Sequence, residues 1–226
     1  MSYRRKDAYY RRARATGYRA RSAYKLAQLD SRFRLLRRGD AVVDLGAWPG
    51  GWLQVALEAV GPRGRVVGVD LVPVEPLPAP NLRLVNGDVR DPSTWRVVLE
   101  HLGRPADVVL SDLAPKLTGI RETDDARSSE LVGAVLEVLP AVLRPGGNLL
   151  IKLFMGGALD VATAELRRRF EEFRTTRPDA TRKASAEVYG VGLACGKLVD
   201  IENPCRTRGI RQCSGDTPSR PGPIPI

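Results

Sequence analysis

The sequence predicts an α/β fold, a mostly parallel sheet of seven strands with helices on both faces. Three observations carry this. Strand-like and helix-like segments alternate along the chain, the rhythm of β-α-β units. The runs Val42-Val-Asp-Leu45, Val66-Val-Gly-Val-Asp70 and Asp107-Val-Val-Leu110 are nearly all apolar, as strands covered on both faces must be. A chain of 226 residues, 43% of them hydrophobic, suits one such domain with short extensions.

The elements follow in order. A basic arm occupies residues 1–35 and ends in a helix around Ser22 to Asp30. Ala41–Leu45 reads as the first strand and Trp52–Val60 as the helix after it. Arg65–Asp70 and Leu82–Asn86 are the next strands, and Pro92–Leu102 is a helix with proline at its first position. Asp107–Ser111 is the fourth strand. The helix Ser128–Leu143 stops before Arg144-Pro-Gly-Gly. Asn148–Phe154 is a strand, Leu159–Phe170 a helix, and Glu172–Thr176 and Glu187–Ala194 the final strands. The main domain therefore spans residues 36–200. Five prolines and three glycines crowd residues 204–226, so the tail from residue 201 is expected to remain disordered for want of anything to bury.

Charge is unevenly placed. The net charge is +10, but residues 1–25 contribute +8 and residues 204–226 contribute +3, which leaves the body near neutral. The arm holds Arg4, Arg5, Lys6, Arg11, Arg12, Arg14, Arg19, Arg21 and Lys25, interleaved with Tyr3, Tyr9, Tyr10, Tyr18 and Tyr24. Cations that grip phosphates beside rings that stack on unpaired bases point to RNA. Lys116, Arg121, Arg182 and Lys183 extend this surface along the active face. No apolar stretch follows the charged N-terminus as a secretory signal requires. The best membrane candidate, Leu131 to Leu143, is interrupted by Glu137 and Pro140. Cys195, Cys205 and Cys213 form no zinc-type pair and read as reduced thiols of a cytoplasmic protein. No His/Cys/Asp cluster suggests a metal, and His101 lies in a helix away from the strand ends.

Ligands of open α/β sheets bind beyond the carboxyl ends of the strands. The first strand runs into Asp44-Leu-Gly-Ala-Trp-Pro-Gly-Gly-Trp52. Gly46, Gly50 and Gly51 allow a sharp turn and a close backbone approach. Gly46 and Gly51 have P-loop spacing, but Trp52 and Leu53 follow where a phosphate-binding loop needs lysine and a hydroxyl residue. Trp48 stands where a dinucleotide fingerprint needs its second glycine. A loop without a phosphate clamp, followed by an aromatic, suits a nucleoside ligand that lacks a pyrophosphate, and S-adenosylmethionine is one. Asp70 ends the second strand, where a carboxylate takes ribose hydroxyls. Asp88 follows the third, placed to accept from an adenine amino group.

Further motifs continue the pattern: Ser111-Asp-Leu-Ala-Pro115, Lys152 at a strand end, and Glu187-Val-Tyr189, with Gly17-Tyr-Arg-Ala-Arg-Ser-Ala-Tyr-Lys25-Leu26 in the arm. In this order and spacing they resemble the FtsJ-type RNA 2′-O-methyltransferases, over roughly residues 5–197. The resemblance implies a Rossmann-like methyltransferase fold and S-adenosylmethionine as cofactor. It implies a catalytic tetrad of Lys25, Asp112, Lys152 and Glu187, and cofactor contacts from Gly50, Trp52, Asp70, Asp88 and Asp112. Its implied substrate is a ribose of RNA, first a uridine of large-subunit ribosomal RNA within the ribosomal subunit; a monomer is the default expectation for the chain itself. Relatives that modify the anticodon loop of transfer RNA or messenger RNA caps share the tetrad, and a non-catalytic assembly factor would keep the fold. Trp48 departs from the pattern, which has a small residue there.

The chemistry explains the residue types. Methyl transfer to a 2′-hydroxyl needs the oxygen in line and its proton removed as the bond forms. Lys152, at the end of a buried strand, is the expected proton acceptor, since burial and a neighbouring lysine favour a neutral amine. Lys25 supplies that second cation or steers the hydroxyl, Asp112 positions Lys152 and the amino acid end of the cofactor, and Glu187 holds a lysine.

Overall fold

The computed structural model describes residues 8–115, 118–156, 158–182 and 185–196, with the side chains of Arg121 and Ala158 left aside. Expectations placed on Tyr3, Arg4, Arg5, Lys6, Lys116, Lys183, the Arg121 side chain, Cys205, Cys213 and the Pro-rich tail fall outside the described residues.

Two helices, α1 (Ala8–Ala15) and α2 (Ala23–Phe33), precede the sheet. Then follow β1 (Ala41–Leu45), α3 (Gly51–Val60), β2 (Arg65–Asp70), β3 (Leu82–Asn86), α4 (Pro92–Leu102), β4 (Ala106–Ser111), α5 (Arg121–Val142), β5 (Leu143–Phe154), α6 (Ala158–Arg169), β6 (Phe170–Thr176) and β7 (Glu187–Cys195). The sheet has the order β3-β2-β1-β4-β5-β7-β6, with β7 antiparallel to both neighbours and the other pairs parallel. Every residue of β1 and β4 is buried, which is why these strands read as unbroken apolar runs. One core lies under α4, α5 and α6, the other under α2 and α3.

Two differences from the sequence reading have simple causes. Helix α5 begins seven residues earlier than expected, because Arg121-Glu-Thr-Asp-Asp-Ala-Arg127 has no apolar stripe to announce it. Strand β5 begins at Leu143, before the Arg144-Pro-Gly-Gly stretch, and a register shift between Ala106 and Val108 absorbs that stretch. Helix α1 was not expected. It packs through Ala13 against Tyr24 and Ala180. Helix α2 belongs to the core itself, through Ala23, Leu26 and Leu29.

The amino end of β4 is held by Asp107, which accepts from Ala41 N (2.7 Å), Arg104 (2.5 Å) and Arg144 (2.5 Å). Burial pushes this carboxyl up, but the bonds from Arg104, Ala41 and Arg144 outweigh it and hold it at about 2. The folded value lies below the ordinary one near ~3.9. The stabilisation is therefore complete above about pH 4 and fades as pH falls toward 2. Asp107→Asn is expected to lower stability at neutral pH by about 1–2 kcal/mol, discounted for the half-exposed arginines. Urea unfolding of wild type and variant should converge in acid.

Candidate active site

The strand order reverses between β1 and β4, so a crevice opens at their carboxyl ends. The two ends are joined by Asp112 N donating to Leu45 O at 3.0 Å. Gly46 makes this approach possible. It has φ +80°, and a Cβ there would lie 3.1 Å from Leu113 N and 3.2 Å from the Asp112 carbonyl carbon. At Gly50 (φ +108°) a Cβ would meet the Arg19 guanidinium at 2.9 Å, and at Gly51 it would meet Ala20 at 3.2 Å. The arm thus lies against the glycine loop. Arg19 donates to Pro49 O (3.3 Å), Glu75 O (2.5 Å) and Pro76 O (2.8 Å), and so ties the loop after β1 to the loop after β2.

The four residues of the expected tetrad come together at this end of the sheet. Register explains three of them. Lys152 pairs with Tyr189 across β5 and β7, and Phe154 with Glu187, so Lys152, Tyr189 and Glu187 share one face. Lys152 Nζ donates to Asp112 O (2.8 Å) and pairs with Asp112 Oδ1 (2.9 Å). Lys25, buried on α2, is ion-paired to Glu187. Each lysine is thus held by its own carboxylate. The group between the two pairs is Tyr189, which the sequence reading quoted in a motif without giving it a role. Its hydroxyl donates to Asp112 Oδ1 (2.7 Å) and accepts from Lys25 Nζ (3.3 Å). Burial raises the Tyr189 hydroxyl far above its ordinary value, and the Asp112 and Glu187 carboxylates raise it further. It stays a donor at any working pH.

On the cofactor side, the expected contact residues also make bonds within the protein. Asp70 accepts from Trp48 N and Val72 N, both at 2.8 Å, and each oxygen keeps a lone pair for a ribose hydroxyl. Asp88 is held by its neighbour Arg90, with Nη2 at 2.6 Å and Nε at 3.0 Å. These bonds lower its carboxyl below the ordinary range, and an adenine amino group would share an occupied acceptor. The Trp52 ring is 3% exposed, donates from Nε1 to Ser22 O (2.8 Å) and sits 6.0 Å from the Tyr189 ring. It braces the helix that carries Lys25. The aromatic that meets solvent in this loop is Trp48.

Asp44 is the second residue whose role the sequence did not show. It is fully buried at the end of β1, and neither carboxylate oxygen has a hydrogen-bond partner among the described residues. Burial pushes its carboxyl well above the ordinary value, and the Asp112 and Asp70 charges add to this. A buried acceptor in need of a partner, amid carboxylates, fits a ligand that brings positive charge. The ammonium and sulfonium of S-adenosylmethionine meet that requirement, and a pyrophosphate does not.

In the arm, Tyr24 is buried rather than free to stack on a base, with the Tyr9 and Tyr18 rings 5.7 and 5.5 Å away. Tyr18 also donates to Glu58 (2.8 Å). Arg11, Arg12 and Arg14 of α1 are exposed. His101 is exposed in the last turn of α4, and Cys195 is a buried free thiol. Among the described residues no His/Cys/Asp/Glu group is placed to hold a metal, and no helix is long and apolar enough to cross a membrane.

Comparison with known proteins gives the family and the fold. Ribosomal RNA large subunit methyltransferase E of Methanothermobacter thermautotrophicus is 50% identical over 189 residues, covering 84% of this chain and 90% of its own. The protein of the same name from Myxococcus xanthus is 46% identical over 192 residues, covering 84% and 90%. A Plasmodium falciparum structure described as a ribosomal RNA methyltransferase superposes with a TM-score of 0.70 at 26% identity, over 79% of this chain and 98% of that one. Aeropyrum pernix fibrillarin, solved with natively bound S-adenosyl-L-methionine, shares the fold at a TM-score of 0.56 and 20% identity, over 76% of each chain. The model of the FtsJ-like methyltransferases matches residues 18–195, from the arm segment that leads to Lys25 through the last strand of the sheet. The chain belongs to the FtsJ-like methyltransferase family.

Proposed function

We propose that the protein transfers a methyl group from S-adenosylmethionine to a ribose 2′-hydroxyl of RNA, in large-subunit ribosomal RNA. The observation that carries this is the continuous Glu187–Lys25–Tyr189–Asp112–Lys152 network beside the switch-point crevice. The names of the relatives support the substrate. The expectation of a cytoplasmic monomer that acts on the ribosomal subunit goes with this reading.

Gly46, Gly50, Gly51 and the Trp52 backbone would hold the cofactor along the loop, Asp70 and Asp88 its nucleoside, and Asp44 and Asp112 its cationic end. When bound, the cofactor supplies an activated methyl group. The protein's own part is orientation and proton removal. Lys152 Nζ turns two N–H groups to Asp112. In its amine form the remaining lone pair accepts from the 2′-hydroxyl, aligns it and takes up its proton, which leaves the ammonium. Lys25, fixed by Glu187, places positive charge beside the oxygen. Tyr189 keeps Asp112 in register with both lysines. Tyr189→Phe removes only the bridging hydroxyl and is expected to slow methyl transfer roughly 3- to 30-fold, the worth of one or two hydrogen bonds, with the fold intact. Single-turnover rates with saturating cofactor would measure it.

The test of the function is methyl transfer from labelled S-adenosylmethionine to ribosomal subunits, free ribosomal RNA and transfer RNA. Label on a 2′-oxygen of large-subunit RNA is the expected result. Label on transfer RNA alone would keep the chemistry and replace the substrate. No transfer to any RNA would favour a non-catalytic assembly factor.

A further inference from the structure

We propose that Trp48 is a stacking platform for an unpaired nucleobase of the RNA, beside the nucleotide whose ribose reaches Lys152; this rests on the RNA reading above. Its backbone has a clear structural duty, since Trp48 N donates to Asp70 Oδ2 at 2.8 Å. Its side chain is 58% exposed, whereas Trp52 and Trp95 are 3% and 7% exposed. The loop therefore uses the position without using the indole. A large ring left in water at the mouth of a site is a surface for a partner.

The surroundings choose the partner. Leu71 and Val72 are exposed on the adjoining loop, and Val72 N donates to the other oxygen of the same Asp70 carboxylate. The patch is bordered by Arg19, which donates to Pro49 O, the residue next to Trp48. On the same basic arm α1 exposes Arg11, Arg12 and Arg14. An exposed ring next to a basic arm is the composition of a single-stranded RNA surface. The loop also adjoins the chemistry, because Gly46, two residues earlier, abuts the backbone of Asp112 and Leu113. A target ribose drawn to Lys152 leaves a neighbouring base near Trp48. That base gains stacking there in place of the stacking lost when its own strand is splayed.

The arrangement of tryptophans makes this measurable. Trp48 is the one exposed indole of three, so acrylamide-accessible emission of the full chain reports on it, and Trp48→Phe removes that component. Adding a single-stranded oligoribonucleotide should shield and quench Trp48, while S-adenosylhomocysteine alone should not. In steady-state methylation, Trp48→Ala should raise KM for RNA roughly tenfold, as expected for one lost base stack. Trp48→Phe should recover most of it, and neither variant should change cofactor affinity. Shielding by S-adenosylhomocysteine alone, with weakened cofactor binding in Trp48→Ala, would overturn the proposal and assign the ring to the cofactor's adenine. An unchanged KM for RNA in Trp48→Ala, with an active wild type, would overturn it without touching the enzymatic reading. If the wild type methylates no RNA yet RNA still shields Trp48, the platform stands and the methyl-transfer reading falls.

Discussion

Lys152→Arg is expected to be as inactive as Lys152→Ala, with methyl transfer reduced by a factor of roughly 10² to 10⁴ and cofactor binding retained. The two substitutions separate orientation from proton transfer. Arginine keeps the positive charge and the donors that bind Asp112 O and Oδ1, but it does not give up a proton at working pH. If Lys152 only aligned the hydroxyl, the arginine variant would keep much of its rate. Because Lys152 and Asp112 form a buried pair, truncation to alanine leaves a carboxylate without its main cation, at a cost of about 3 kcal/mol. Binding of S-adenosylhomocysteine by each variant, measured calorimetrically, establishes that the site is still formed. Single-turnover methylation then gives the rate. A substantial rate for Lys152→Arg would assign proton removal to another group.

Asp44→Asn is expected to move affinity and stability in opposite directions. The carboxylate lies buried without a partner among the described residues, so the folded protein carries a desolvation cost until a cation arrives. The neutral amide should stabilise the cofactor-free protein at neutral pH by about 1–3 kcal/mol. It should weaken S-adenosylmethionine binding by roughly 10- to 100-fold, the worth of a charge-assisted hydrogen bond. The pH dependence has a definite sign. The folded carboxyl titrates above the unfolded one, so between the two values the folded state holds the extra proton. The stability of the cofactor-free wild type must then fall as pH rises through the folded value. Cofactor affinity must rise over the same range, as Asp44 ionises. Both slopes should flatten in Asp44→Asn. Thermal unfolding and titration calorimetry across pH measure them, and pH-independent stability in the wild type would remove Asp44 from this role.

The centre of the sheet was legible because β1 and β4 are buried throughout and β2 almost so. A continuous apolar run bounded by Gly, Pro or Asp has few other ways to fold, and β2, β3 and α4 fall where the patterns end. Helix α1 was not legible, since its exposed arginines hide the contacts that Tyr9 and Ala13 make with the rest of the fold. The tetrad was legible by residue type and order, but its wiring was not. Tyr189 lies opposite Lys152 because β7 runs antiparallel to β5, and nothing local to Glu187-Val-Tyr189 announces that register. Asp44 likewise looks like any acidic residue before a turn, until burial leaves it without a hydrogen-bond partner among the described residues. Trp52 has a packing role that its place after the glycine loop does not announce: its ring lies against Ser22 O and Tyr189.

The Lys25–Glu187 pair joins side chains 162 positions apart, one on a helix that precedes the sheet and the other on its last strand. Synthesis proceeds from the N-terminus, so Lys25 leaves the ribosome long before its partner exists. The strands that carry the cofactor loop, β1 and β2, are complete far earlier. A nascent chain thus carries the glycine loop and Asp70 while its lysine network is still open, and the network closes only when β7 inserts between β5 and β6. Competence is withheld until β7 has been made, and this timing is set by topology.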